Sequence, residues 1–179
     1  MAPDTQSILK NDRVTMIPLR EDGFEELFAV ASDHKIWEQH PNKNRWKRDV
    51  FQVFYEGALQ SKGAYKIVEN ESGAVIGSTR FYEFDESLNR ILIGYTFYAP
   101  SYWGTGVNHS VKKLMLDHIF EFVDTVHFHV GSENYRSQVS ISRIGARKVG
   151  EKPVAYHGEQ PRMNFEYEIT RSEWKSRGE

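Results

Sequence analysis

The chain of 179 residues has no cysteine. That excludes a disulfide framework, a thiolate zinc site, an iron–sulfur cluster and a cysteine nucleophile. No apolar run approaches the length of a transmembrane span. Met1 to Lys10 holds no apolar core of signal-peptide length. There is no internal repeat and no low-complexity segment. Neither sign of charge dominates: 23 basic residues face 25 acidic ones, for a formal charge of −2. Such a balance argues against a general nucleic-acid binder. What is present is aromatic, at 13 % of the residues. A chain of this length can bury roughly 70 % of its surface, enough for a real core. The expectation is a folded cytoplasmic protein, a single domain over residues 1–179, with residues 1–12 flexible.

The apolar spacing sorts the chain into elements. Val14 to Leu19 alternates as a short strand. Asp22-Gly-Phe-Glu25 resembles a capping box ahead of a helix carrying Phe24, Leu27, Phe28 and Ala31. A second short turn holds Ile36 and Trp37. Val50, Phe51, Phe54, Tyr55 and Ala58 mark a third helix, and Gly63 suits its end. The period then changes to two. Ala64–Glu69, Ala74–Phe84 and Ile91–Tyr98 form an antiparallel meander. An amphipathic helix with Val111, Leu114, Met115, His118, Ile119 and Phe122 on one face leads to a strand over Thr125–Val130. Gly131 to Asn134 opens another helix that stops near Gly145. Two strands follow, around Arg147–His157 and Asn164–Thr170. The fold class is α+β, a mixed and mostly antiparallel sheet with a central βαβ crossover, flanked by helices.

Trp103-Gly104-Thr105-Gly106 sits where the crossover strand meets its helix. Glycines let backbone N–H groups approach an anion, and the helix N-terminus adds positive potential. No Gly-Lys-Ser/Thr follows, so it is not the nucleotide P-loop. The third glycine of a dinucleotide fingerprint is also missing. From this spacing alone, a plain tight turn is an equal reading.

The wider context resembles the GNAT superfamily of acyl-CoA-dependent N-acetyltransferases, in the branch of ribosomal-protein N-terminal acetyltransferases (RimJ/RimL-like). The matching motifs are Arg13-Val-Thr-Met-Ile-Pro-Leu19, Gly94-Tyr95, Tyr102-Trp-Gly-Thr-Gly106, Glu133-Asn-Tyr-Arg-Ser137, Gly145-Ala146 and Ile169-Thr-Arg-Ser-Glu-Trp174. They run in order along nearly the whole chain. The loop begins with Ser101 where the superfamily has Arg or Gln. The resemblance implies two central parallel strands that splay apart, with acetyl-CoA as cosubstrate in the gap. It implies pantetheine contacts from Phe97 and Tyr98, and pyrophosphate contacts from Trp103, Gly104, Thr105, Gly106, Val107 and Asn108. Asn134 and Ser137 would face the pantetheine and thiol end.

The implied reaction moves an acetyl group to a primary amine, a protein N-terminus or a small molecule, by direct attack in a ternary complex. The alternative is an acyl-CoA-binding or sensor module of the same fold without turnover. In this branch Ser137 matches the donor to the departing thiolate; a helix cap is the structural alternative. The usual glutamate before Gly-Tyr is replaced by Ile91, Leu92 and Ile93, and the usual tyrosine of the last helix by Ile141. Tyr156 and His157 are the remaining candidates for the base. Trp37, His40 and Trp46, near the basic stretch Lys43 to Arg48, are candidates for the acceptor site. His127 and His129 share one face of a strand, as a metal pair would, but no third ligand accompanies them, so no metal is expected. The expected partners are a small-molecule or peptide amine and a second copy of the chain, with neither nucleic acid nor membrane.

Overall fold

The computed structural model describes residues 1–155 and 158–178. Its centre is one eight-stranded sheet in the order β1-β2-β3-β4-β5-β6-β8-β7. The strands are β1 (Leu9–Lys10), β2 (Val14–Pro18), β3 (Ala64–Glu69), β4 (Val75–Asp85), β5 (Arg90–Tyr98), β6 (Thr125–Gly131), β7 (Arg147–Val154) and β8 (Arg162–Thr170). Only β5 and β6 run parallel. The helices are α1 (Phe24–Ala31), α2 (Arg48–Ser61), α3 (Val107–Ile119), α4 (Tyr135–Arg143) and α5 (Arg171–Ser176). The GNAT-like α+β architecture expected from the sequence is the one observed, and α3 is the crossover between the parallel strands.

Helices cover both faces of the sheet. On one side β6 sends Val126, Phe128 and Val130 into a large core with Val111, Met115, Leu116 and Ile119 of α3 and Trp174 of α5. On the other side Leu27, Trp37, Phe51, Phe54 and Tyr55 pack around Phe97 of β5. This double cover explains why β4 is buried continuously from Ile76 to Tyr82 rather than alternately. Among the described residues no helix is long and apolar enough to cross a membrane.

Several local details differ from the sequence reading. Asp22 does not cap α1: a 3₁₀ turn, Glu21–Gly23, places it inside the turn, and no side chain caps the helix. A full capping box forms instead at α5, between Thr170 and Glu173. The left-handed residue closing α2 is Lys62 (φ 52°), not Gly63. Gly63 is needed for space, since a Cβ there would lie 2.0 Å from the Phe81 carbonyl oxygen. Near the N-terminus a short strand not expected from the sequence forms, with Leu9 pairing with Met16, while Tyr65 Oη donates to the Ser7 carbonyl and the Asp4 carbonyl meets His118 Nε2.

The parallel pair is short. Arg90, Ile91 and Leu92 face Thr125, Val126 and His127, and the pairing stops there. Beyond it β5 stays with β4 (Gly77 opposite Tyr98) and β6 stays with β8 (Phe128 opposite Tyr167). A bulge in β5 marks the parting. Ser78 faces Phe97 and Arg80 faces Gly94, so Thr79 spans two residues, Tyr95 and Thr96. Tyr95 takes φ 53°, costing about 1–3 kcal/mol. It is held by the Arg80 guanidinium 3.7 Å from its ring and by an edge contact with Tyr82.

Gly77 secures the other side of β5. A Cβ there would stand 2.1 Å from the Phe97 carbonyl oxygen, a backbone atom that cannot step aside alone. Gly77→Ala should therefore destabilise the protein by roughly 1–3 kcal/mol. Urea unfolding should read this as a lower midpoint at unchanged slope. An unchanged midpoint would mean that β4 and β5 are not held this closely.

Candidate active site

The parted strands open a cleft of about 250 Å³. Its walls are Ile93–Tyr98 of β5 and Phe128–Gly131 of β6, with Asn108, His109 and Lys112 of α3 behind and Asn134, Ser137 and Ile141 of α4 opposite. At its mouth lie Trp103, Gly104 and Gly106. Gly104 and Gly106 have φ of 70° and 83°. A Cβ on Gly104 would meet nothing within 4 Å, and one on Gly106 only Arg13 Nη1 at 3.2 Å. The loop thus faces open space with its backbone, next to the N-terminus of α3, as an anion site requires.

The side chains of the expected cofactor residues divide clearly. Phe97 is buried in the aromatic core, so only its backbone is available to a ligand. Tyr98 Oη donates to Asn108 Oδ1 at 2.8 Å, and burial pushes this phenol well above its usual pKa. Asn108 is therefore a partner of Tyr98 and not the cap of α3, which is Gly106. Val107 turns into the core. Thr105 is exposed and donates to the Tyr102 carbonyl. Trp103 Nε1 donates to the Tyr98 carbonyl at 3.1 Å. Asn134 accepts from Ser137 N–H and caps α4 while also lining the cleft.

Ser101 leaves the loop without its usual cation, and cations come from elsewhere. Arg13 reaches Gly106. Arg136 stacks 3.7 Å above the Trp103 ring, and Arg143 lines the wall. These were not foreseen, because they lie far from the loop in sequence. The motif Asn134-Tyr-Arg-Ser137 contains Arg136, and that was the available signal.

The inner end of the cleft is polar. Trp37 and His40 line it, as does Arg45, which is only 2 % exposed. Trp46 lies outside, at 40 % exposure with Lys47 nearby. Within the basic stretch Lys43 to Arg48, Arg45 is buried between the rings of Trp37 and Phe54 and forms an ion pair with Glu159. His40 is held well below its ordinary pKa by burial and by the neighbouring Arg45. Tyr156 and His157 lie outside the described residues.

His129 enters the cleft from β6, with its side chain 6 % exposed. Its Nε2 meets Glu166 Oε1 at 3.2 Å, and Lys152 Nζ stands 3.1 Å from the same oxygen. His127 pairs with Glu168 in the same way, Nε2 to Oε2 at 2.7 Å. The two histidines therefore point to carboxylates of β8. Among the described residues no cluster of three potential ligands could hold a metal. Burial lowers the pKa of His129, Lys152 lowers it further, and Glu166 opposes them. Burial opposes ionisation of Glu166, but Lys152 and His129 outweigh it and keep the carboxyl below its ordinary value. The imidazole is therefore uncharged at neutral pH.

A protein-family model described as "Acetyltransferase (GNAT) domain" matches residues 13–147, about three-quarters of the chain. The chain belongs to this family. It is an acyl-CoA-dependent N-acetyltransferase, with acetyl-CoA the family's usual donor. The fold is similar to a GCN5-related N-acetyltransferase from Brucella melitensis, with TM-score 0.83 and 20 % identity over 97 % of this chain and 83 % of that one. It is also similar to the Mycobacterium smegmatis RimJ in complex with CoA-disulfide, with TM-score 0.70 and 20 % identity over 96 % and 89 %. A spermidine N-acetyltransferase from Vibrio cholerae, in complex with CoA and spermine, gives TM-score 0.71 and 14 % identity over 92 % and 99 %. These likenesses are of fold; the family rests on the domain match.

Gly106→Val should leave a folded protein with weaker acetyl-CoA binding. A β-branched residue resists φ 83° and would block the loop amides. Losing one or two hydrogen bonds to a charged group, at about 1.5–3 kcal/mol each, lowers affinity roughly tenfold to several-hundredfold. Calorimetric titration reads it directly. Unchanged affinity would put the pyrophosphate elsewhere.

Proposed function

We propose that the acceptor is a primary amine, on a small molecule or a peptide, that enters at the His40–Arg45–His129 end of the cleft and takes the acetyl group by direct attack. The observation that carries the reading is the gap between β5 and β6, with an anion loop at one end and an uncharged histidine at the other. The fit to acetyl-CoA is physical. The pyrophosphate meets loop amides from Trp103 to Asn108 with Arg13 and Arg136 nearby. The pantetheine follows the free edge of β5 past Tyr98 and Phe97 toward Thr96.

Each role follows from position. His129 takes the proton of the acceptor's ammonium, which frees the neutral amine to attack the thioester, and Glu166 stabilises the resulting imidazolium. The sequence alone points to Tyr156 or His157, at the end of the expected Arg147–His157 strand, as the base rather than to His129. Ser137, on the cleft-facing side of α4, donates to the departing thiolate. Tyr95 and Trp37 wall the acceptor end and exclude water from it.

An amine panel read by release of free CoA thiol tests the reading. Turnover with at least one primary amine is expected. Acetyl-CoA binding with no turnover on any amine would favour the sensor alternative. With the best amine, His129→Gln should lower kcat by about 10²–10⁴-fold. Ser137→Ala should retain binding and lose about 10²-fold, since a thiolate already leaves well. The pH dependence has a definite sign. Protonation removes the base, so kcat/KM falls as pH drops through the lowered pKa of His129. Glu166→Gln removes an anion that favours the imidazolium and frees Lys152 to oppose it. Its acid limb should therefore move to lower pH while its plateau falls. An acid limb unmoved by either substitution would remove His129 from the mechanism.

A further inference from the structure

Lys112 is a buried amine for which the mechanism has no use. It sits on the cleft-facing side of α3 with His109 and Asn108, and is 3 % exposed. Its Nζ donates to Thr96 Oγ1 at 2.8 Å and approaches Thr79 Oγ1 at 3.4 Å. Both partners are neutral hydroxyls, and among the described residues no carboxylate pairs with it. An ammonium buried without a counter-charge sheds its proton readily, and burial brings Lys112 to a pKa of about 7. A substantial share of it is thus a free amine at neutral pH. An exposed lysine is uncharged about 10³-fold less often.

Its position matters as much as its charge. Thr96 belongs to the bulge of β5, two residues from Tyr98 and directly before Phe97. A pantetheine running from the glycine loop past Tyr98 and Phe97 brings its thioester next to Thr96, and therefore next to the amine bonded to Thr96. The acceptor approaches from the face of the sheet that carries Trp37 and Phe54. Lys112 approaches from the opposite, α3 face.

We propose that Lys112 is a self-acetylation site, an internal amine that accepts the acetyl group of bound acetyl-CoA when no acceptor occupies the cleft. The proposal rests on the reading of the cleft as the acetyl-CoA site. The uncharged Nζ attacks the thioester carbonyl, the C–N bond forms and the C–S bond breaks. CoA leaves as the thiol, carrying the proton lost by the nitrogen. No other reactant is needed. The product is an amide, a far poorer acyl donor than a thioester, so the acetyl group stays. It fills space beside Thr96 and replaces a donor to that hydroxyl, so the modified protein binds acetyl-CoA more weakly.

The test incubates the full chain with acetyl-CoA and no amine, between pH 6 and 9, and maps acetyl groups on every lysine by peptide mass spectrometry. Lys112 is expected to be the first lysine modified at pH 7. Its rate should level off above about pH 7, while surface lysines continue to rise about tenfold per pH unit. Excess CoA should suppress modification of Lys112 and spare the surface, and urea-unfolded chain should lose the preference. Lys112→Met should remove the product, and Thr79 and Thr96 keep their own 2.9 Å hydrogen bond without it. The CoA competition arm decides the matter even if that variant fails to fold. Acetyl-CoA binding, measured by thermal shift, and amine turnover are followed in the same preparation. If both occur while Lys112 stays unmodified or reacts no faster than surface lysines, this proposal falls and the acetyltransferase reading stands. If acetyl-CoA neither binds nor reacts, both fall.

Discussion

The structure depends on the point at which β5 and β6 stop pairing. Parallel neighbours normally stay bonded along their length, because unpaired backbone groups are costly to bury. Here each strand is held on its outer side, β5 by β4 and β6 by β8. The bulge at Tyr95 increases the local twist of β5 and turns it away. The inner edges are then left facing a gap that a ligand with its own amides can fill. The same bulge brings Thr96 to Lys112 and Tyr95 to Arg80, so one irregularity shapes the cleft wall on two sides.

Two kinds of cation surround this gap. Arg13 lies beside Gly106, Arg136 lies over Trp103, and Arg143 lines the cleft wall. Arg45 lines the cleft and Lys152 stands behind His129, each paired with a carboxylate. The first group suits a phosphorylated ligand. Beside His129, Lys152 and Glu166 exert opposed influences, so that its proton affinity is tuned rather than swamped. Lys112 stands apart from both, buried and hydrogen-bonded to the Thr96 and Thr79 hydroxyls.

Much of the frame was legible in the chain. The period-two meander from Ala64 to Tyr98, the amphipathic α3 and the Gly104–Gly106 junction follow from local pattern. Each element buries a face that its own spacing defines. The family motifs were legible because they are short and ordered. The failures were also local in cause. Asp22 and Glu25 have capping-box spacing, but a 3₁₀ turn intervenes. Arg45 sits in a polar stretch, and nothing in its neighbours marks it as buried between aromatic rings. His127 and His129 were correctly placed on one face, but their partners Glu166 and Glu168 come from β8, some forty residues away.

By itself, then, the sequence determined most of the strands and helices, though not β1 or α5, and the strand–glycine–helix junction at Gly104–Gly106. Period, turn chemistry and glycine are properties of neighbouring residues. The tertiary structure alone decided which titratable groups are uncharged. The proton affinities of Lys112 and His129 depend on what surrounds them: Thr79, Thr96 and the core for one, Lys152 and Glu166 for the other. Desolvation and pairing act through space, so no reading of one stretch of chain could supply them.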